Sequence, residues 1–452
     1  MRKYYGTDGV RGIANVELTP ELAFKLGRAG AYVLQKHSKN KDGKTTVFVG
    51  SDTRISKDML SCAIASGVMS VGGDVIDIGV APTPAIAYLT KKHKADAGIV
   101  ISASHNPMEY NGIKFFNSIG LKLDDSIELE IEEYLGDMSK IDVEISHENV
   151  GTRVFKDHYV REYEDFLVKS IGMDLKGLKV TLDCANGASY EVAPNVFKKL
   201  GAQVNVISNN PDGININKQC GSTHPENLCE TVIKSKSDIG LAYDGDADRL
   251  IAVDEKGKVV DGDKIMLICA KHLKNQGKLK SNKLVVTVMS NLGLHVAAKQ
   301  EGIDLEVTSV GDRYVLENML ANDYALGGEQ SGHMIFLDYN TTGDGVLSSL
   351  ILCSILHLSK KKLSDLSKIM EVYPQVLVNA KVKNENKNAY MTDAEIKREI
   401  SLLEEKMDQK GRVLIRPSGT EPLVRVMIEG QDKVQISKMA KDLAFLIESR
   451  LG

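Results

Sequence analysis

The chain has 452 residues, room for about three domains of ordinary size, and its 42% apolar content can fill several cores. A net charge of −4 argues against a nucleic-acid scaffold that depends on broad positive charge, and 5% aromatics without tryptophan argue against base-stacking platforms. The six cysteines form no CxxC pair, so neither a zinc ribbon nor a dithiol redox site is indicated; reduced, mostly buried thiols of a cytoplasmic protein are expected.

The chain opens on MRKYYGTDGVRG, which lacks the long apolar stretch of a secretory signal. Within it, GTDGVRG (6–12) is a glycine-flanked polar loop, with Arg11 as a candidate anion contact. One pattern then occurs three times. An apolar run ending in small polar residues (46–54, 179–188, 284–293) leads into a helical stretch. A glycine follows with a second apolar run (72–79, 201–208, 302–309), and after more helix a third run ends in a polar loop. Those loops read ISASHNP (101–107), DGDADR (244–249) and GGEQSGH (327–333). Strand alternating with helix predicts βαβ units and substantially parallel sheets, whose ligands gather beyond the carboxyl ends of the strands. Three such units can present three polar loops to one cleft.

Residues 346–356 are the longest apolar-rich stretch, interrupted by serines and too short to span a bilayer. Past a lysine-rich connection near 360–374 the pattern changes. Strands are expected over 375–382, 411–415 and 423–428, and helices over 393–407 and 432–447, which together make a small α+β domain. KNENKN (383–388) reads as a solvated turn.

Alternating aspartates in DGDADR set hard oxygen ligands at short intervals, as Mg²⁺ or Ca²⁺ requires. An EF-hand is ruled out because Arg249 stands where that loop needs glycine and because the flanks look like strands. An aspartyl-phosphate nucleophile and a plain acidic turn are alternatives; a Mg²⁺ site of Asp244, Asp246 and Asp248 is favoured, with Arg249 free to meet an anion. In RPSGTEP (416–422), Arg416 offers a planar fork, Ser418 and Thr420 offer hydroxyls, and Gly419 lets backbone N–H groups approach a phosphate. Glu329 and Ser331 suit adjacent sugar hydroxyls. ISASHNP pairs serine with histidine, yet there is no GxSxG nucleophile elbow, and a hydrolase has no use for a metal loop and a phosphate cradle. A serine carrying a phosphoryl group beside Mg²⁺ fits all these loops, with Lys114 of NGIKFF (111–116) as a base or phosphate contact. Strand position alone leaves Ser102 and Ser104 both open.

GTDGVRG, ISASHNP with NGIK, DGDADR, GEQSGH and RPSGTEP, in that order, closely resemble the α-D-phosphohexomutase superfamily over essentially the whole chain. NGIKFF, TTGDG (341–345) and GTEPLVRVM (419–427) are similar to its bacterial amino-sugar branch. Tyr110, with Glu109 before it, departs from the acidic residue common just ahead of NGIK.

The resemblance implies three related mixed α/β domains (1–152, 153–257, 258–370) and a C-terminal α+β domain of TATA-binding-protein-like type (371–452), around a central cleft. It implies interconversion of glucosamine 6-phosphate and glucosamine 1-phosphate through a phosphoserine and a 1,6-bisphosphate, upstream of UDP-N-acetylglucosamine and cell-wall synthesis. Phosphomannomutase or phosphoglucomutase activity is the nearest alternative, and a Mg²⁺-dependent sugar-phosphate binding protein the more distant one.

Ser104 is implied as the phosphorylated residue and a Mg²⁺ ligand beside Asp244, Asp246 and Asp248. His105, Lys114, Arg249 and His333 match positive or proton-transferring positions around the phosphoryl group. Glu329 and Ser331 match the sugar grip, and Arg416, Ser418, Gly419 and Thr420 the remote phosphate site. No nucleic-acid or membrane partner is implied, and a homodimer is left open.

Overall fold

The computed structural model describes residues 3–6, 8–37, 44–408, 410–418 and 421–452. These divide into two compact units, one of residues 1–289 with 303–369 and one of residues 290–302 with 370–452.

The first unit contains three sheets that repeat one topology. In the first, the strands Ala97–Ile101, Thr46–Ser51 and Asp74–Val80 lie parallel in that spatial order, and Tyr110–Asn117 runs antiparallel beside Ala97–Ile101. Ile239–Tyr243, Lys179–Asp183 and Gln203–Ile207 do the same in the second, with Leu250–Asp254 as the antiparallel neighbour. Leu326–Gly328, Lys283–Thr287 and Asp304–Thr308 repeat it in the third, flanked by Met334–Phe336. The predicted third run is thus a strand in every repeat. The strand-like run expected after DGDADR is Leu250–Asp254, and every repeat carries such a fourth strand, which turns each polar loop into the connection between a parallel strand and its antiparallel neighbour. The sheets are therefore mixed, with a parallel centre.

Burial follows from composition. Ala97–Ile101 is covered on both faces and reads as an unbroken apolar run. The helices Pro20–His37 and Lys57–Met69 press together at Gly67, where a Cβ would stand 2.1 Å from the Phe24 carbonyl oxygen. The apolar stretch at 346–356 lies in the helix Gly345–Ser359, buried through Leu356 and capped by Asp344, whose carboxylate accepts from the Leu347 N–H. No described helix is long and apolar enough to cross a membrane. Cys184, Cys220, Cys269 and Cys353 are buried thiols, whereas Cys62 is exposed.

The second unit holds an antiparallel sheet in the order Gln375–Lys381, Leu423–Gly430, Gly411–Pro417. The helices Ala394–Lys406 and Lys433–Leu451 share its core through Ile396, Leu403, Leu443 and Ile447. Residues 290–302 group with it because Asn291 Nδ2 and the Leu292 N–H both donate to the buried Glu429 carboxylate, at 3.1 Å each.

Candidate active site

All three chemistry-bearing loops of the first unit leave their strands at the same topological position, and they meet. Ser104 is buried, with Oγ 2.6 Å from Asp244 Oδ2 and 3.4 Å from His105 Nδ1. Ser102, two residues nearer the strand, donates to Asp52 Oδ2 at 2.6 Å and accepts the Ser104 N–H at 2.9 Å. One serine thus faces the aspartate loop while the other supports the backbone. The carbonyls of the serine loop are held by Arg54 and Asn217, neither of which sequence reasoning singled out. SDTR (51–54) closes the first apolar run, and that polar ending was the one available signal for Arg54.

DGDADR spans the turn between Ile239–Tyr243 and Leu250–Asp254, so its flanks are strands, as expected. Ala247 takes a left-handed φ of 59°, and the three aspartates bring buried carboxylate oxygens within 4.8 Å of one another. Asp246 Oδ2 accepts from Thr83 Oγ1 at 2.7 Å and Lys114 Nζ at 2.9 Å, whereas Asp246 Oδ1 and Asp248 Oδ1 are buried with no hydrogen-bond partner among the described residues. Burial, and then repulsion from Asp248 and Asp246, pushes the Asp244 carboxyl well above its ordinary range. Two unpartnered carboxylate oxygens within a cluster of three buried aspartates fit a hard divalent cation. Gly245 is required by close approach, since a Cβ there would lie 2.5 Å from the Ser104 carbonyl oxygen.

Positive groups gather beside the carboxylates. Arg11 Nε and Arg249 Nε are buried without a hydrogen-bond partner among the described residues. Arg249 Nε is 3.8 Å from Asp248 Oδ1, beyond hydrogen-bonding range. His105 is lowered to about 4, first by burial and then by the nearby Arg249 and Arg11. Burial alone would neutralise Lys114, but Asp246 at 2.9 Å, Asp8 at 3.0 Å and Asp248 at 3.9 Å keep its ammonium charged. Asp8, from GTDGVRG, also pairs with Arg11 and with Lys122, and Lys122 pairs with Asp312.

The third loop joins through a backbone bridge between Arg249 and His333. His333 Nδ1 lies 3.5 Å from Asp248 Oδ2, and Nε2 lies 3.5 Å from Asp312 Oδ2. Burial opposes a charge on the ring, yet Asp248 and Asp312 raise it to about 9. Nε2 accepts the Gly343 N–H at 3.1 Å, which an imidazolium could not do, so this hydrogen bond opposes the upward shift and describes a neutral ring with its proton on Nδ1, toward Asp248. Glu329 Oε1 accepts the Gly311 N–H at 3.1 Å and acts electrostatically on Arg249. Ser331 is exposed at the loop tip.

In the second unit, Arg416 lies near the end of Gly411–Pro417 and Ser418 follows, with its Oγ accepting the Glu421 N–H at 3.2 Å. Gly419 and Thr420 lie outside the described residues. The turn at 383–388 is more than solvated chain: Lys387 Nζ donates to the Ser418 carbonyl at 2.9 Å, so one of its cations reaches the expected phosphate loop.

This loop set matches a known family in full. Residues 2–141, 157–257 and 261–373 match domains I, II and III of "Phosphoglucomutase/phosphomannomutase, alpha/beta/alpha", and 377–445 match "Phosphoglucomutase/phosphomannomutase, C-terminal domain". The chain belongs to this family. Among family members, the phosphoglucosamine mutase of Clostridioides difficile (strain 630) is 62% identical over 452 residues, covering all of both chains. A family protein from Burkholderia thailandensis shares the fold at a TM-score of 0.81 and 23% identity, over 98% of this chain and 97% of that one. Aspergillus fumigatus N-acetylphosphoglucosamine mutase, solved in complex with GlcNAc-6P and magnesium, shares the fold at 0.71 and 17% identity, over 100% and 96%.

Proposed function

We propose that this chain acts as a phosphoglucosamine mutase, interconverting glucosamine 6-phosphate and glucosamine 1-phosphate, with Ser104 as phosphoryl carrier. The full-length identity of 62% to an enzyme of that name supports the substrate. The observation that carries the chemistry is a set of four buried atoms near the Ser104–His105 turn with no hydrogen-bond partner among the described residues: two carboxylate oxygens, of Asp246 and Asp248, that suit a cation and two guanidinium Nε groups, of Arg11 and Arg249, that suit an anion. The division at residues 152, 257 and 370 belongs to the same reading.

In this mechanism phospho-Ser104 gives its phosphoryl group to the sugar O1. The Ser104 Oγ–P bond breaks, the O1–P bond forms, and the O1 proton passes by way of His105 to the leaving Ser104 Oγ. The 1,6-bisphosphate reorients, the O6–P bond breaks as Ser104 Oγ takes the phosphoryl group, and the Ser104 proton passes by way of His105 to O6. Such transfer needs alignment and charge neutralisation more than covalent help. Arg249, Arg11 and Lys114 supply fixed positive charge. Lys114 is committed to three carboxylates, which leaves His105 as the group free to accept a proton. Asp244, Asp246 and Asp248, with a phosphoserine oxygen, would hold Mg²⁺, whose role is to neutralise the phosphoryl oxygens. His333 fixes Asp248. Glu329 and Ser331 grip sugar hydroxyls, and Arg416, Ser418, Gly419 and Thr420 hold the phosphate remote from the reaction.

A coupled assay across glucosamine, glucose and mannose 6-phosphates tests the assignment. The highest kcat/KM is expected for glucosamine 6-phosphate; equal or greater values without the amino group would overturn it.

A further inference from the structure

We propose that Asp52, Arg54, Ser102 and Asn217 are positioning residues that hold the Ser104 backbone in a left-handed conformation, and that phosphoryl transfer depends on that hold. The proposal rests on the reading of Ser104 as the phosphoryl carrier.

Ser104 has φ 52°, a region that suits glycine and is disfavoured for a residue with a Cβ. Glycine would suit the backbone there but has no Oγ. The conformation is instead imposed by donors from two separate loops. Arg54 Nη2 donates to the carbonyls of Ser104 at 3.0 Å and Asn106 at 2.7 Å, and Nη1 donates to that of Pro107. Asn217 Nδ2 donates to the Ser104 carbonyl at 2.9 Å and the Asn106 carbonyl at 3.0 Å. Five donations thus fall on three carbonyls within four residues. On the preceding peptide, Ser102 Oγ accepts the Ser104 N–H and donates its own O–H to Asp52, which also accepts from Arg54 Nε at 2.9 Å.

Asp52, Arg54 and Ser102 are fully buried, so none of them can reach a substrate. Four of the five guanidinium N–H groups are taken, by Asp52 and by the carbonyls of Ser104, Asn106 and Pro107, and the side chain is fully buried, so it is built to hold the loop rather than a phosphate. These groups can act only by placing Ser104 Oγ, 2.6 Å from Asp244 Oδ2. The same arrangement explains why Ser102, the other candidate carrier, is unsuited to that part: its hydroxyl is committed both as donor and as acceptor.

The test uses the full-length enzyme with Mg²⁺, glucosamine 6-phosphate and glucose 1,6-bisphosphate, comparing wild type with Ser102→Ala, Asn217→Ala, their double variant, Ser102→Thr and Arg54→Lys. Each alanine variant is expected to lose about tenfold or more in kcat and in the single-turnover rate of Ser104 labelling, since a misplacement of about 1 Å can cost two orders of magnitude. KM and Mg²⁺ affinity should stay within about threefold. Ser102→Thr, which keeps the hydroxyl, should recover most of the loss. The double variant should fall little further than the worse single one, as expected for groups that hold the two peptides flanking one residue.

Thermal midpoints identify any variant that fails to fold; if Arg54→Lys does, the two alanine variants carry the test. Wild-type rates in both folded alanine variants, or losses confined to KM, would overturn the proposal. Label moving onto Ser102 in wild type would do so too. A wild type that takes no label at Ser104 refutes the phosphoryl-carrier reading itself, and the positioning role with it.

Discussion

Tyr163→Phe tests how the aspartate loop DGDADR is supported by the helix that follows Asp344. Asp344 caps the helix Gly345–Ser359, and the Gly345 N–H donates to the carbonyl of Ala247 at 2.9 Å, so DGDADR hangs on the start of that helix. The Asp344 carboxylate is fully buried and accepts from Tyr163 Oη, 2.9 Å from both of its oxygens, from the Leu347 N–H at 2.9 Å and from Asn340 Nδ2 at 3.2 Å. Burial nevertheless raises it from 3.8 to about 6. That gap corresponds to roughly 3 kcal/mol against the ionised form.

Because the folded value lies above the unfolded one, the native state holds the proton more tightly. Asp344 therefore costs stability progressively as pH rises from about 4 to about 6, and in full above that. Tyr163 itself stays protonated, since burial and then Asp344 push its phenol well above 10.0. Removing its hydroxyl should cost about 1.5–3 kcal/mol at pH 7.5, where the partner is a carboxylate, and about 0.5–1.5 kcal/mol at pH 5, where it is neutral. Urea unfolding of wild type and variant at both pH values measures the two gaps. An equal loss at both, or a larger one at pH 5, would refute the reasoning.

Asp246→Asn and Asp248→Asn each halve the charge of an orphaned carboxylate pair and should lower Mg²⁺ affinity by about tenfold or more in calorimetric titration; unchanged affinity would place the cation elsewhere. Gly245→Ala puts a methyl group against the Ser104 carbonyl and should lower kcat by about tenfold or more with a folded protein, read by steady-state kinetics and circular dichroism. In the second unit, Arg412→Ala strips the buried Glu429 of its ion-pair partner, which should cost about 3–5 kcal/mol in the unfolding of that unit. Mg²⁺ affinity, set by first-unit residues, should not change.

Much of the fold was legible because strand periodicity survives in short apolar runs. Each triple of runs became three parallel strands, and the expected helix at 393–407 is Ala394–Lys406. The expected helix at 432–447 runs on as Lys433–Leu451, held by the burial of Leu451, a tertiary contact that periodicity in a short window does not weigh. The acidic loop was legible because its three aspartates are local in sequence. The supporting groups were not: Lys114 meets Asp246 across 132 residues and Asn217 meets Ser104 across 113, so no spacing rule reaches them. The choice between Ser102 and Ser104 stayed open on strand position alone. It is the partners, Asp52 for one hydroxyl and Asp244 for the other, that distinguish the two serines physically.

The central claim is that Ser104 carries the phosphoryl group, and labelled glucose 1,6-bisphosphate tests it most directly. After incubation with Mg²⁺, peptide mapping should find the label on Ser104 and not on Ser102, and added glucosamine 6-phosphate should discharge it. Ser104→Ala should take no label and show no mutase turnover. Label on another residue, or turnover persisting in Ser104→Ala, would contradict the account.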